Sequence, residues 1–426
     1  MALKSLLRWE IILPAIFAFS MTSYPTRLGF YRFIFSSSPA LMGMIPAYFP
    51  NGEAEWGFTL EDLYGDGGNT DEASAKEYRN RLWGQTALVT GSNSGVGFDT
   101  ALALARLGVT VTMACRSPAR CEAAAKKIRQ DEVVLQRAKR DRGIVDPESA
   151  SDIITMTVDT SSLKSVKKFC EEFLDRTDDG NGSPMPLDML FLNAGIASYG
   201  TVELTEDGIE RTFATNNVGH HLMYRLLEPS IFRSDDLRKA PARIIQTSSA
   251  SSYDIYHPYK VATDLETLNT EQHVGVFGAY APSKLAQILW ARELTDQLDA
   301  RTNSSKNIDG DPNSIVYVNA AHPGMVATNV WFTPFDKMPF GITAPIKSLL
   351  QAFTKIMWNC EEGALTLVYL GTATEDLQTK NIRGKYFHPQ SIMVQDHIYA
   401  SDNDPGTKIL QEKLWAFLDE LVADFL

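Results

Sequence analysis

Residues 86–97 read Thr86-Ala-Leu-Val-Thr90-Gly91-Ser-Asn-Ser-Gly95-Val-Gly97. An apolar, β-branched run ends at Gly91, glycines recur at Gly95 and Gly97, and an Ala/Leu-rich segment from Asp99 to Leu107 has a helical pattern. The stretch is strand, glycine-rich turn, helix. Such a turn lets backbone approach a pyrophosphate, whose charge is favoured at a helix N-terminus. The spacing is G-x-x-x-G-x-G rather than G-x-G-x-x-G. A tight turn with no ligand is the alternative reading.

Working outward, apolar runs at 86–90, 109–115, 153–158, 187–192, 242–247 and 315–320 predict buried strands. Helical patterns lie between them, among them 161–175, 207–228 and 283–298. The alternation implies an α/β fold, a doubly wound parallel sheet covered by helices on both faces. The charged segment 129–152 and residues 299–313 read as surface inserts. The 426 residues suffice for a large core, and 40 basic against 52 acidic residues give a net charge of −12. That balance argues against a general nucleic-acid binder. Four cysteines, at 115, 121, 170 and 360, show no metal-ligand spacing, so a disulfide-independent fold without metal is expected. Cys115 and Cys121 are expected to pack as small apolar residues.

Tyr280-Ala-Pro-Ser-Lys284 puts a phenol and an ammonium on one helix face. A free tyrosine has a pKa of about 10, and a lysine held beside it stabilises the phenolate. The pair then serves as a general acid/base. Ser248-Ser249 follows the strand Arg243–Thr247, a place where serines often serve turns. The second strand ends at Ala114-Cys115-Arg116. An Arg there, in place of a ribose-binding acid, favours the 2′-phosphate of NADP(H), with Arg120 or Asn93 as helpers.

Four motifs, in order, resemble the short-chain dehydrogenase/reductase family: Thr90-Gly91-x-x-x-Gly95-x-Gly97, Asn193-Ala194-Gly195, the Tyr280/Lys284 pair and His322-Pro323-Gly324. Ala114-Cys115-Arg116, the Asp159 segment, SKLAQILWAREL from Ser283, Arg383–Phe387 and a closing helix at Lys413–Leu421 resemble its retinol-dehydrogenase-like branch. The resemblance implies a Rossmann-like fold and a catalytic set of Asn216, Ser249, Tyr280 and Lys284. Asn216 would hold a water that links Lys284 to solvent, with Asn217 as the rival. Two successive asparagines inside a helical pattern already point to a local disturbance there. The implied cofactor contacts are Gly91, Asn93, Ser94, Gly95, Val96 and Gly97, then Arg116, Asp159, Asn193, Ala194 and Gly195. Tyr280, Lys284, Pro323, Gly324, Val326 and Thr328 complete them. Asp159 would meet the adenine, with a helix N-cap at Asp159 or Thr160 as the competing reading. His322 is read as part of a structural turn.

The aromatic-rich run after Thr328, about residues 329–360, predicts a substrate lid or an apolar contact surface. Tyr253, Tyr256, His257 and Tyr259 are candidates for the substrate mouth. Residues 1–50 hold two apolar stretches, neither a clean membrane span, and suit targeting or membrane attachment. Residues 51–81 read as a linker, leaving 82–426 for the catalytic domain. The expected location is the endoplasmic reticulum or a lipid droplet, with a plastid or mitochondrion as the alternative. The expected function is NADP(H)-dependent interconversion of a carbonyl and an alcohol on a bulky apolar substrate; a homodimer is open. The rivals are a light-dependent protochlorophyllide-type double-bond reductase and a cofactor-binding scaffold without turnover.

Overall fold

The computed structural model describes residues 82–143, 152–176, 184–197, 202–232, 241–253, 261–274, 279–304, 316–324, 326, 359–394 and 397–426 except 398 and 402. The segments 1–50 and 51–81, nearly all of the expected lid, Thr328, and Tyr256, His257 and Tyr259 lie outside the described residues.

The apolar runs form the strands β1 (Thr86–Thr90), β2 (Thr110–Cys115), β3 (Ile153–Thr157), β4 (Met189–Leu192), β5 (Arg243–Thr247) and β6 (Tyr317–Ala321). Two further strands, β7 (Tyr386–His388) and β8 (Ile392–Val394), complete a sheet of order β3-β2-β1-β4-β5-β6-β7-β8. The ladders are parallel from β3 to β7, and β8 runs antiparallel at the edge.

Strand side chains alternate between faces. Ala87 and Val89 enter one core with α1 (Gly95–Leu107), α2 (Pro118–Arg129) and α7 (Cys360–Thr372). Leu88 enters the other, with α4 (Leu163–Leu174), the composite α5 (Arg211–Ile231), α6 (Tyr280–Ser304) and α9 (Pro405–Val422). Chain order reverses at β1, with β2 on one side and β4 on the other. That switch point opens a crevice at the strands' carboxyl ends, where open α/β sheets bind ligands.

Several expectations need correction. The insert at 129–152 contains a helix, α3 (Glu132–Arg142), because Asp131 caps it by accepting from the N–H groups of Val133 and Val134. Val134 and Ala138 are buried, as is Arg137, whose guanidinium lies over the Trp83 ring, while Glu132, Gln136 and Lys139 are exposed. The closing helix α9 starts at Pro405, earlier than the expected Lys413, with Asp404 as N-cap and Pro405 in the first turn. Cys115 and Cys121 are joined in a disulfide, their Cα atoms 5.8 Å apart, because the β2–α2 turn folds strand end against helix start. Tyr253 is buried in the core. Its ring stacks on His397 with centroids 3.9 Å apart, and its hydroxyl bonds His388 Nε2 at 3.0 Å.

Candidate active site

The glycine turn is shaped by what it must touch. Gly91 (φ 68°) and Gly95 (φ 62°) adopt left-handed backbone, which an L side chain resists. A Cβ at Gly97 would collide with the Asn193 amide and come within 2.6 Å of Gly91 O. Thr90 ties this loop to the next strand end. Its Oγ1 accepts from the N–H groups of Asn193 and Ala194, both at 2.9 Å, while Asn193 Nδ2 donates to Thr90 O at 2.9 Å. Ser94 occupies the N-cap of α1 in extended backbone and makes no side-chain cap, so the first-turn N–H groups face the crevice without a competing hydroxyl. Val96 is buried beneath the turn, and Asn93 is half-buried on it.

On the other side of the crevice, Lys284 is almost fully buried. Its Nζ donates to Thr247 O at 2.7 Å and to Gln287 Oε1 at 3.1 Å, and lies 5.3 Å from the centre of the Tyr280 ring. Burial alone pulls its pKa down to about 7. A Cβ at Gly195 would sit 3.5 Å from this ammonium and 3.3 Å from Asn216 Oδ1, so the glycine leaves open the space above both.

Asn216 lies in a π-helical turn, Ala214–Val218, within α5; this is the disturbance that the paired asparagines predict. Its side chain is engaged by protein: Oδ1 accepts from Ile196 N–H at 2.9 Å, and Nδ2 donates to Ile196 O and to Ser283 Oγ. Oδ1 keeps a second lone pair on the side that Gly195 leaves open. The Asn216 backbone carbonyl reaches toward Lys284 through Gln287. Asn217 is buried, and its Nδ2 has no partner among the described residues.

The serines at the end of β5 divide. Ser248 is buried, and its hydroxyl donates to Lys284 O at 2.7 Å, pinning β5 to α6. Ser249 is half-buried. Its Oγ accepts from Ser251 N–H at 3.2 Å and from the Ser251 hydroxyl at 2.9 Å, which leaves its own O–H as a donor. The Tyr386 hydroxyl donates to Ser249 O at 3.1 Å and holds this turn against β7.

The remaining expected contacts are placed as follows. Arg116 is exposed just past β2. Asp159 is half-buried after β3 and accepts from the N–H and hydroxyl of Ser161; the N-cap of α4 is Ser162, not Asp159 or Thr160. Of the turn after β6, His322 is buried, its Nδ1 accepts from Gly324 N–H at 3.0 Å, and burial lowers its pKa to about 3. Pro323 O lies 3.1 Å from where a Cβ on Gly363 of α7 would stand, and Val326 N–H donates to Gly324 O at 3.0 Å. In this structure the Val326 amide thus has an intrachain partner.

Sequence reasoning missed Gln287, Ser251, Tyr386 and the bridging role of Thr90. Gln287 carries a signal in hindsight: it is a polar residue three positions after Lys284 in an otherwise apolar helix segment.

The Gly97–Asn193 contact and the uncapped start of α1 fit the pyrophosphate of a dinucleotide, and the space above Lys284 fits its nicotinamide end. Together, fold and site define a dinucleotide-dependent oxidoreductase with a tyrosine–lysine pair. The comparisons agree. A family profile described as short chain dehydrogenase matches residues 85–260. Human retinol dehydrogenase 14 is 35% identical over 308 residues, covering 72% of this chain and 78% of its own. The chloroplastic short-chain dehydrogenase TIC 32 A of Brassica napus is 29% identical over 342 residues, covering 79% and 88%. The crystal structure of an uncharacterized protein from Mycobacterium Paratuberculosis matches with a TM-score of 0.50 at 25% identity, covering 80% and 94%. The chain belongs to the short-chain dehydrogenase/reductase family, whose members use NAD(P)(H).

Proposed function

We propose that this oxidoreductase interconverts a carbonyl and an alcohol on a bulky apolar substrate, of retinoid, steroid or lipid class, with NADP(H). The observation that carries the reading is the buried Lys284 ammonium, hydrogen-bonded to the end of β5 and set beside the Tyr280 ring on one face of α6. The bound nicotinamide supplies or accepts the hydride. Tyr280 gives its proton to the carbonyl oxygen in reduction and takes it back in oxidation. Lys284 holds positive charge against the phenolate and contacts the cofactor ribose. Ser249, with its O–H free to donate, orients the substrate oxygen. The substrate class is supported by the name of the human relative, a retinol dehydrogenase, and by the aromatic run after Thr328.

The test is purified protein with NADPH, offered retinal, sterol ketones and long-chain aldehydes, with cofactor oxidation followed by absorbance. Tyr280→Phe is expected to leave NADPH binding nearly intact and to lower turnover by about a hundredfold or more. Turnover at the wild-type level in Tyr280→Phe would falsify the mechanism. Silence with every carbonyl would remove the substrate assignment.

A further inference from the structure

A continuous run of buried hydrogen bonds starts at Lys284 and ends at the glycine turn. Lys284 Nζ donates to Gln287 Oε1 (3.1 Å), and Gln287 Nε2 donates to Asn216 O (3.0 Å). The same carbonyl meets His220 Nδ1 at 3.1 Å, and His220 Nε2 meets Thr90 Oγ1 at 3.0 Å. Burial holds His220 neutral, with its pKa lowered to about 3. A neutral ring that donates from Nδ1 to a carbonyl must accept at Nε2, so Thr90 is the donor there. Every link then has one donor and one acceptor. Asn216 O takes two donors in the π-helical turn. Gln287 and His220 have no exposed surface.

We propose that Gln287 is a positioning residue of this site: its amide holds the Lys284 ammonium against Tyr280 and ties it to the Asn216 carbonyl. The proposal rests on the functional reading of Tyr280 and Lys284 given above. The amide's two ends are fixed by their partners. Its oxygen faces an ammonium, which only donates, and its nitrogen faces a carbonyl, which only accepts. A water there could turn and exchange protons with solvent; a side-chain amide fixed at both ends cannot. Gln287 therefore acts as a tether, keeping Lys284 charged and in place. Two titratable groups face Lys284: Tyr280 from its own helix and the neutral His220 from α5. Among the described residues no carboxylate offsets the burial of the ammonium. The hydrogen bonds to Gln287 and to Thr247 O are what favour its charged form.

The experiment uses the full chain, Gln287→Met, which keeps length and loses both bonds, and Gln287→Glu, which keeps an acceptor for Lys284 and adds charge. Thermal unfolding and NADPH titration establish that each variant is folded. The first readout is the titration of the Lys284 side chain in free protein by heteronuclear NMR, its signal identified by loss in Lys284→Met. Gln287→Met is expected to lower the Lys284 midpoint by about one pH unit or more, the size a charge-assisted hydrogen bond commands, and Gln287→Glu to raise it. The second readout is the pH profile of alcohol oxidation. Its half-activation should move to higher pH in Gln287→Met, since a less charged Lys284 stabilises the phenolate less. A residue that only fills the core would change stability and leave both readouts in place. If Gln287→Met does not fold, Gln287→Glu decides by its own shift. Unmoved midpoints in the folded variants overturn the proposal. If the titration shifts as expected while wild type turns over no alcohol or carbonyl, the tether stands and the functional reading falls.

Discussion

At the residue scale, the proposed preference for NADP(H) rests on Arg116. It stands exposed where the second strand ends, directly after a cysteine that is crosslinked to Cys121. The guanidinium is thus carried on a short, closed turn between β2 and α2 rather than on a free loop. An acid at this position would hold the ribose hydroxyls of NAD; an arginine pairs with a 2′-phosphate. A charge-assisted hydrogen bond contributes on the order of 1.5–3 kcal/mol, roughly ten- to hundredfold in affinity. Wild type is expected to bind NADPH more tightly than NADH by about that factor, and Arg116→Ala to narrow the gap chiefly by weakening NADPH. Titrating both reduced cofactors against both proteins checks it, and equal dissociation constants in wild type would remove the NADP(H) assignment.

At the element scale, the site depends on how closely α5 approaches the turn after β3. A Cβ at Gly219 would clash with Thr160 O and lie 2.9 Å from its carbonyl carbon. Gly219 directly follows the π-helical turn that presents the Asn216 carbonyl. Gly219→Ala should therefore push α5 off the β3–α4 turn, costing about 1–3 kcal/mol of stability, as overpacking does. Denaturant unfolding reads the cost, and a stability unchanged from wild type would show that the backbone yields there freely. Because Asn216 moves with α5, turnover should fall further than NADPH affinity. The limits of sequence reading lie at this scale too. Six strands were legible because each is an apolar run bounded by turn residues, and the Tyr280/Lys284 pair because its spacing is local to one helix. β7 and β8 have three residues each, too short for a period to register. Tyr253 reads as a mouth residue until β7 and the segment around His397 close over it. Gln287 takes its meaning from a partner 71 residues away, which no local pattern carries.

At the scale of the whole molecule, the proposed apolar substrate raises the question of where a strongly acidic enzyme would meet it. The net charge is −12, and among the described residues no helix is long and apolar enough to cross a membrane. The sequence offers residues 1–50 for attachment, where Ile11–Phe19 and Phe33–Phe49 are apolar and Arg27 and Arg32 lie between them. A membrane core needs about 20 consecutive apolar residues in a helix, and Ile11–Phe19 is too short for that. Shallow insertion of both stretches, with the arginines at the headgroups, satisfies the same sequence. We propose that this segment holds the enzyme at an internal membrane, where retinoid-, steroid- or lipid-class substrates partition. The catalytic domain, beginning near Leu82, is expected to keep its turnover without residues 1–50. In cell fractionation the full-length chain should sediment with membranes and resist a high-salt wash, because its hold is apolar rather than ionic. The chain lacking residues 1–50 should move to the soluble fraction. Release of the full-length protein by salt alone would assign the attachment to charge, and identical fractions for the two chains would leave the segment with no anchoring role.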